Sequence, residues 1–330
     1  MRKIALWYDR LLAAGGPFNV QLSGGEPCMR DDLPEIVAMG RERGFPFIQV
    51  NTNGIRIATE PGYLERLAGA GLSTVYLQFD AADDTVCERL RGARLLDVKR
   101  RAIERCGALE IGVVLVATVV PGINERQIGD IIRFGLAHSP AVRGAHFQPV
   151  SYFGRYPEQP QDCDRLTLPE IMRALADQTG GLVQPGSLRP ASSEHALCSF
   201  HGNFVSMPDG SLRPLAQGGP QPCCSGNPGS AAKARDFVAR AWAYPRKGPD
   251  PSGLSLGGWD GFIERARTHL FTISGMAFQD AWTLDLERLR RCHIFIMSPE
   301  GILVPFCAYN LTDRAGRGPY RGKSNDPQPS

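Results

Sequence analysis

Five short apolar runs, at residues 18–22, 47–50, 74–79, 111–119 and 142–150, alternate with amphipathic stretches at 32–43, 63–70, 95–106 and 125–137. No other feature restricts the fold as much. A short apolar run bounded by turn residues is the pattern of a strand packed inside a sheet. Parallel neighbours need a crossover, and the amphipathic stretches supply one each time. The first half therefore predicts a parallel α/β sheet. Ligands of such sheets bind at the carboxyl ends of the strands, so the polar residues that follow each run are the place to look.

Composition narrows the function. With 42% hydrophobic and 22% charged residues the chain has ordinary globular composition and is not globally disordered. A net charge of +3 over 330 residues argues against a non-specific nucleic-acid binder, which needs a dense basic stripe. No apolar run reaches the roughly 18 residues of a spanning helix. The opening segment is interrupted by Asp9 and Arg10 and reads as an amphipathic helix, not a signal peptide. The expected location is the cytoplasm. No phosphate-loop motif and no Ser-His-Asp constellation is readable, which disfavours an NTPase.

Beyond about residue 152 the pattern changes. A helix is expected over 168–178, with Thr167 as its N-cap and Gly180 as its stop. Residues 204–215 and 294–306 each read as a β-hairpin, turning at Asp209-Gly210 and at Pro299-Glu300-Gly301. The Gly/Pro/Ser-rich stretch 216–258 holds one helix-like insert, 231–242. These changes divide the chain into a first region, 1–155, an extension, 156–312, and a polar tail, 313–330, expected to be disordered.

The first strand closes with Gln21-Leu22-Ser23-Gly24-Gly25-Glu26-Pro27. Two glycines let a backbone approach a ligand closely, and a glutamate before proline fixes a carboxylate at the strand end. On this string the chain resembles the radical S-adenosylmethionine (radical SAM) superfamily, whose second strand ends in the same four residues. The resemblance continues through Asn51-Thr52-Asn53-Gly54, Gln78-Phe79-Asp80, Val119-Val120-Pro121-Gly122-Ile123-Asn124 and His146-Phe147-Gln148-Pro149. It implies a partial parallel (βα)6-type barrel. It also implies SAM contacts at Gly24, Gly25, Glu26, Pro27, Asn53, Asp80, Pro121, Gly122 and Gln148. The backbone of the glycine loop would take the SAM amino group, and the loop at Pro121 and Gly122 would pack on the adenine.

More narrowly, the run on to Tyr152-Phe153-Gly154-Arg155, the segment 195–201 and the segment 305–310 resemble the subgroup that contains tetraether lipid synthases. That implies carbon–carbon bond formation on a lipid or another small substrate, with membrane association if the substrate is a lipid. It further implies an electron donor such as ferredoxin or flavodoxin, and an auxiliary iron–sulfur or mononuclear metal site.

One departure is large. The superfamily holds its [4Fe–4S] cluster with C-x3-C-x2-C in the loop after the first strand. That spacing is absent here, and Cys28 is the only cysteine before Cys87. The opening helix leads directly into the glycine-loop strand. The expectation is therefore that the first strand and cluster loop precede Met1 and that this chain by itself performs no radical chemistry. The alternative is a SAM-binding or scaffold relative that lost the cluster. A third reading is a zinc-stabilised structural protein.

Nine cysteines in a reducing compartment are not expected to form structural disulfides. Cys87 and Cys106 lie on helical stretches and read as buried packing thiols, and Cys163 as a loop residue. Cys198, Cys223, Cys224, Cys292 and Cys307 flank the hairpins or lie in loops and are the candidate metal ligands. His195 and His201 read either as further ligands or as hydrogen-bonded structural histidines. Cys28 either faces the site or packs in the core. Tyr152, Arg155 and Tyr156 either line a substrate channel or pack on the next helix.

Overall fold

The computed structural model describes residues 1–154, 156, 158–190, 194–215, 230–245 and 259–320. Strands β1 (Val20–Leu22), β2 (Ile48–Thr52), β3 (Thr74–Gln78), β4 (Gly112–Val119) and β5 (Val142–Pro149) follow the five apolar runs. β6 (Arg189–Pro190), β7 (Ser199–Ser206), β8 (Leu212–Pro214) and β9 (Leu270–Met276) come from the second half, and β10 (Phe295–Met297) pairs with β11 (Leu303–Pro305). Among the described residues the main sheet runs β1-β2-β3-β4-β5-β9-β7-β6, with β8 on β7. The pairings from β1 to β5 and on to β9 are all parallel; β7 is antiparallel to β9. The fold is mixed α/β with a mostly parallel sheet, and strands from beyond residue 155 continue that sheet.

Both expected hairpins form, β7–β8 and β10–β11. The helix Leu168–Gln178 starts as the sequence predicts: Thr167 accepts from the Glu170 amide while the Glu170 carboxylate accepts from the Thr167 amide. The helix Ser230–Trp242 matches the predicted insert.

The strands are not apolar on both faces. Successive side chains alternate sides, so register separates two faces. Val50, Val75, Leu115, Ala145, Ile273 and their neighbours pack against the helices in one continuous core. The opposite face carries Asn51, Tyr76, Gln78, Thr118, His146 and Gln148, with Ser274 and His201 beyond. The polar residues embedded in the apolar runs therefore share one side.

The amino end of that polar face is covered by the helix Ser230–Trp242. The Trp242 ring stacks on Tyr76 at 5.6 Å, and Thr74 Oγ1 donates to the Trp242 carbonyl at 3.1 Å. Arg143, 1% exposed, donates to the carbonyls of Ala241 and Thr268 at 3.0 and 2.8 Å. A cation at the last carbonyls of a helix opposes the negative end of its dipole. Gly112 lets the helix end approach: a Cβ there would lie 2.0 Å from the Trp242 carbonyl oxygen. Towards the carboxyl end of the polar face Gln78, Thr118 and Gln148 are only half-buried among the described residues.

Candidate functional site

The loops at the carboxyl ends of β1 to β4 are tied to each other by side chains. Glu26 Oε1 accepts from the Cys28 amide at 3.0 Å and from Thr52 Oγ1 at 2.6 Å. Glu26 Oε2 accepts from the Asn53 amide at 2.7 Å. The carboxylate thus joins the glycine loop to the end of β2. Lys99 Nζ donates to the Asn53 carbonyl at 2.5 Å, so residue 53 is held at both its N–H and its C=O. Its side chain accepts from the Ile55 amide and opens the next helix.

Asp80 makes an equivalent tie between β3 and β4. Its Oδ1 accepts from the Thr118 amide on β4 and its Oδ2 from Arg91 Nε, at 2.9 and 2.8 Å. Asn124 Nδ2 donates to the carbonyls of Asp80 and Thr118, and its Oδ1 accepts from the Val120 amide. Turned so that its oxygen faces Arg91, the Gln78 amide accepts from Nη2 at 2.7 Å. Gly122 lends its carbonyl to Arg89. Pro121 and Gly122 belong to the loop that Asn124 closes.

The tied loops leave one segment free. Gly24 and Gly25 have φ of +106° and +54°, and a Cβ on either would meet nothing within 4 Å. Among the described residues their backbone amides have no hydrogen-bond partner. Successive positive-φ glycines with free amides form a concavity able to hold a polar or charged group. Glu26 and Asp80 thus act through position: their carboxylates are occupied by the loops they tie. Pro27, buried, starts the short helix that carries Cys28 inward. Gln148 stands half-buried on the polar face, level with Thr118.

Cys28 is fully buried, and desolvation pushes its thiol up to about 11, so it packs in the core. Cys87 and Cys106 are buried and Cys163 is exposed, as expected. Tyr152 donates to the Asp164 carbonyl, and Tyr156 packs edge-on against Trp282 at 5.0 Å. Both are used in packing; Arg155 lies outside the described residues.

Of the candidate metal ligands, Cys223 and Cys224 also lie outside them. Cys307 accepts from the Gln279 amide through its sulfur. Burial pushes the Cys307 thiol up to about 11, and the nearby Cys292 and Cys198 thiols add to the shift. Cys292 and Cys307, which flank the β10–β11 hairpin, therefore share a neighbourhood with Cys198 from a much earlier segment. Among the described residues no group of three His, Cys, Asp or Glu side chains is placed to hold a metal ion. The His195 ring accepts from the Leu197 amide.

Lys99 and Asn124 were not singled out from the sequence. Lys99 had a signal. It lies on the stripe of its helix that also carries Ala102, Ile103 and Cys106, all buried. A lysine at a core position is a lysine with a buried partner. It is 4% exposed, and desolvation lowers its pKa to about 8.

A family model described as the radical SAM superfamily matches residues 2–135. The 7,8-dihydro-6-hydroxymethylpterin dimethyltransferase of Methanocaldococcus jannaschii is 31% identical over 339 aligned positions, which cover 89% of this chain and 67% of that protein. A probable GTP 3′,8-cyclase of Pyrococcus abyssi is 34% identical over 128 residues, 38% of this chain and 40% of its own length. Among solved structures, native anSMEcpe with bound AdoMet and a peptide aligns with a TM-score of 0.41 at 13% identity, over 54% of this chain and 49% of that one. None of these names is that of a tetraether lipid synthase.

Proposed function

The chain belongs to the radical SAM superfamily, and from that premise we propose that it binds SAM at the carboxyl ends of β1 to β5 and orients a small-molecule substrate over the polar face of the sheet. The observation that carries the reading is the glycine loop. Glu26 ties it to β2, yet among the described residues a Cβ on Gly24 or Gly25 would meet nothing within 4 Å and their amides have no partner.

These residues fit SAM. Ser23, Gly24 and Gly25 offer main-chain groups to the methionyl end. Asn51, Gln78, Thr118 and Gln148 offer neutral hydrogen-bonding side chains beside it. Bound SAM supplies a carbon radical in this family, and the protein's share is to hold, orient and exclude water.

The residues do not fit the [4Fe–4S] cluster. No C-x3-C-x2-C occurs among residues 1–330, and Cys28 points into the core. We therefore derive no reductive step and no electron-donor contact from this chain. SAM binding without turnover also fits the alternative of a binding or scaffold protein. The two readings separate on whether the cluster motif belongs to the native protein.

For the substrate, we take the relatives' names as the guide. One is named for a pterin and one for GTP, so a small nitrogen heterocycle is the class to test first. Lipid carbon–carbon bond formation is the second reading, drawn from the resemblance alone. An auxiliary metal held around Cys198, Cys292 and Cys307 remains a proposal, checked by the metal content of the purified chain. Equilibrium dialysis against labelled SAM tests the main reading: saturable binding, competed by S-adenosylhomocysteine, is expected. No binding at millimolar SAM would reject it.

A further inference from the structure

One row of the polar face crosses β5, β9 and β7. His146 on β5, Ser274 on β9 and His201 on β7 stand side by side in register. His146 Nδ1 and Ser274 Oγ are 2.8 Å apart. The imidazole is 7% exposed, and its ring centre lies 5.6 Å from that of Tyr76, which stacks in turn on Trp242. Gln148 is the next residue of β5 on the same face. Desolvation lowers the His146 pKa to about 4, so the ring is neutral at ordinary pH.

The chemistry of the face is selective. Arg143 is tied to two main-chain carbonyls, and among the described residues no other charged side chain occupies a position on this face from β2 to β7. Two buried amide atoms on it, Gln49 Oε1 and Asn203 Nδ2, have no partner among the described residues. A hydrocarbon laid on such a surface would desolvate the half-buried Gln78, Thr118 and Gln148 without replacing their hydrogen bonds. A phosphate would call for an untied Arg or Lys, and these strand positions offer none. A neutral ring carrying both donors and acceptors meets neither objection. Ser274 also fixes the imidazole: if its hydroxyl donates to Nδ1, Nε2 carries the proton and donates; if it accepts, Nε2 accepts.

We propose that the His146–Ser274 pair, with Gln148 and His201 beside it, is the specificity-determining contact of this face. It selects a neutral, planar, hydrogen-bonding heterocycle seated on the carboxyl side of the Tyr76–Trp242 stack. The inference rests on reading the polar face as the substrate side of the SAM site.

The test is equilibrium dialysis of the full chain against 6-hydroxymethylpterin, guanosine, GTP and decanoate, with labelled SAM measured in parallel. We expect at least one of the two neutral heterocycles to bind, GTP to bind no better than guanosine, and decanoate not to compete. Ser274→Ala and His146→Ala should each weaken heterocycle binding about tenfold or more while SAM affinity stays within about twofold. Melting curves accompany both variants, and Ser274→Ala, which removes one oxygen, keeps the test decisive if His146→Ala unfolds. Failure of both neutral heterocycles to bind, unchanged binding in the folded variants, competition by decanoate, or a clear preference for GTP would each overturn the proposal. Heterocycle binding without SAM binding would sink the SAM reading and leave this one standing. SAM binding without heterocycle binding would do the reverse.

Discussion

The strand-end loops of β1 to β4 and the thiol neighbourhood of the second half are assembled in opposite ways. In the loops, each tie joins residues fewer than fifty positions apart, and the carboxylates of Glu26 and Asp80 have charged or main-chain donors on both oxygens. Around Cys198, Cys292 and Cys307, segments about a hundred residues apart meet, and no disulfide joins the thiols. The first region is a saturated frame that presents bare backbone. The second gathers thiols that bond to main-chain groups and not to one another. On the proposed reading the first region's named acidic residues hold the frame, and the glycines they position would face the ligand.

The largest effect expected from that contrast is Glu26→Ala. It leaves the Cys28 and Asn53 amides and the Thr52 hydroxyl without their acceptor, at about 1–3 kcal/mol for each group that stays buried. SAM affinity should fall about a hundredfold, read by dialysis. Cys307→Ser, in the other region, should leave it within about twofold. Equal losses from the two would break the comparison.

Lys99→Met comes next, removing one end of the hold on residue 53 and costing about tenfold in SAM affinity. It also changes the response to alkali. Folded Lys99 loses its proton near pH 8, against 10.5 for an unburied lysine. Between those values the unfolded chain binds the proton that the folded chain has lost. This group's contribution to stability therefore rises with pH through that window. The urea midpoint of the wild type minus that of Lys99→Met should increase from pH 7.5 to 9.5. A constant difference would contradict the burial of a charged Lys99.

His146 gives a smaller effect at the acid end. Its folded pKa of about 4 lies below the ordinary 6.5, so in that interval protons favour the unfolded chain and stability falls as pH drops. His146→Gln should lessen this loss in urea melts at pH 6.5 and 4.5. Cys28→Ser is the smallest expected effect on binding. The residue is buried behind the loop and should change stability more than SAM affinity.

The sequence showed the first region well because its information is local. Strands β1 to β5 coincide with apolar runs, and the glycine loop sits where a strand stops. The polar face was written in the same runs, in the alternation of Tyr76 and Gln78 with Val75 and Leu77, and of His146 and Gln148 with Ala145 and Phe147. It is easily missed because the runs are mostly apolar on average. What stayed hidden is non-local. β9 joins β5 across more than a hundred residues, and β7 enters the sheet on the far side of β9 although it comes earlier in the chain. No spacing rule predicts that order. The partners of Glu26 were hidden for a related reason: two of them are main-chain amides, which every residue except proline has.

The central claim is that Glu26 holds a glycine backbone in place for SAM. Its most direct measurement is equilibrium dialysis of labelled SAM against the wild type and Glu26→Ala, with circular dichroism to confirm that both are folded. The account predicts saturable binding by the wild type and a loss of about a hundredfold in the folded variant. No binding by the wild type, or equal binding by both, would contradict it.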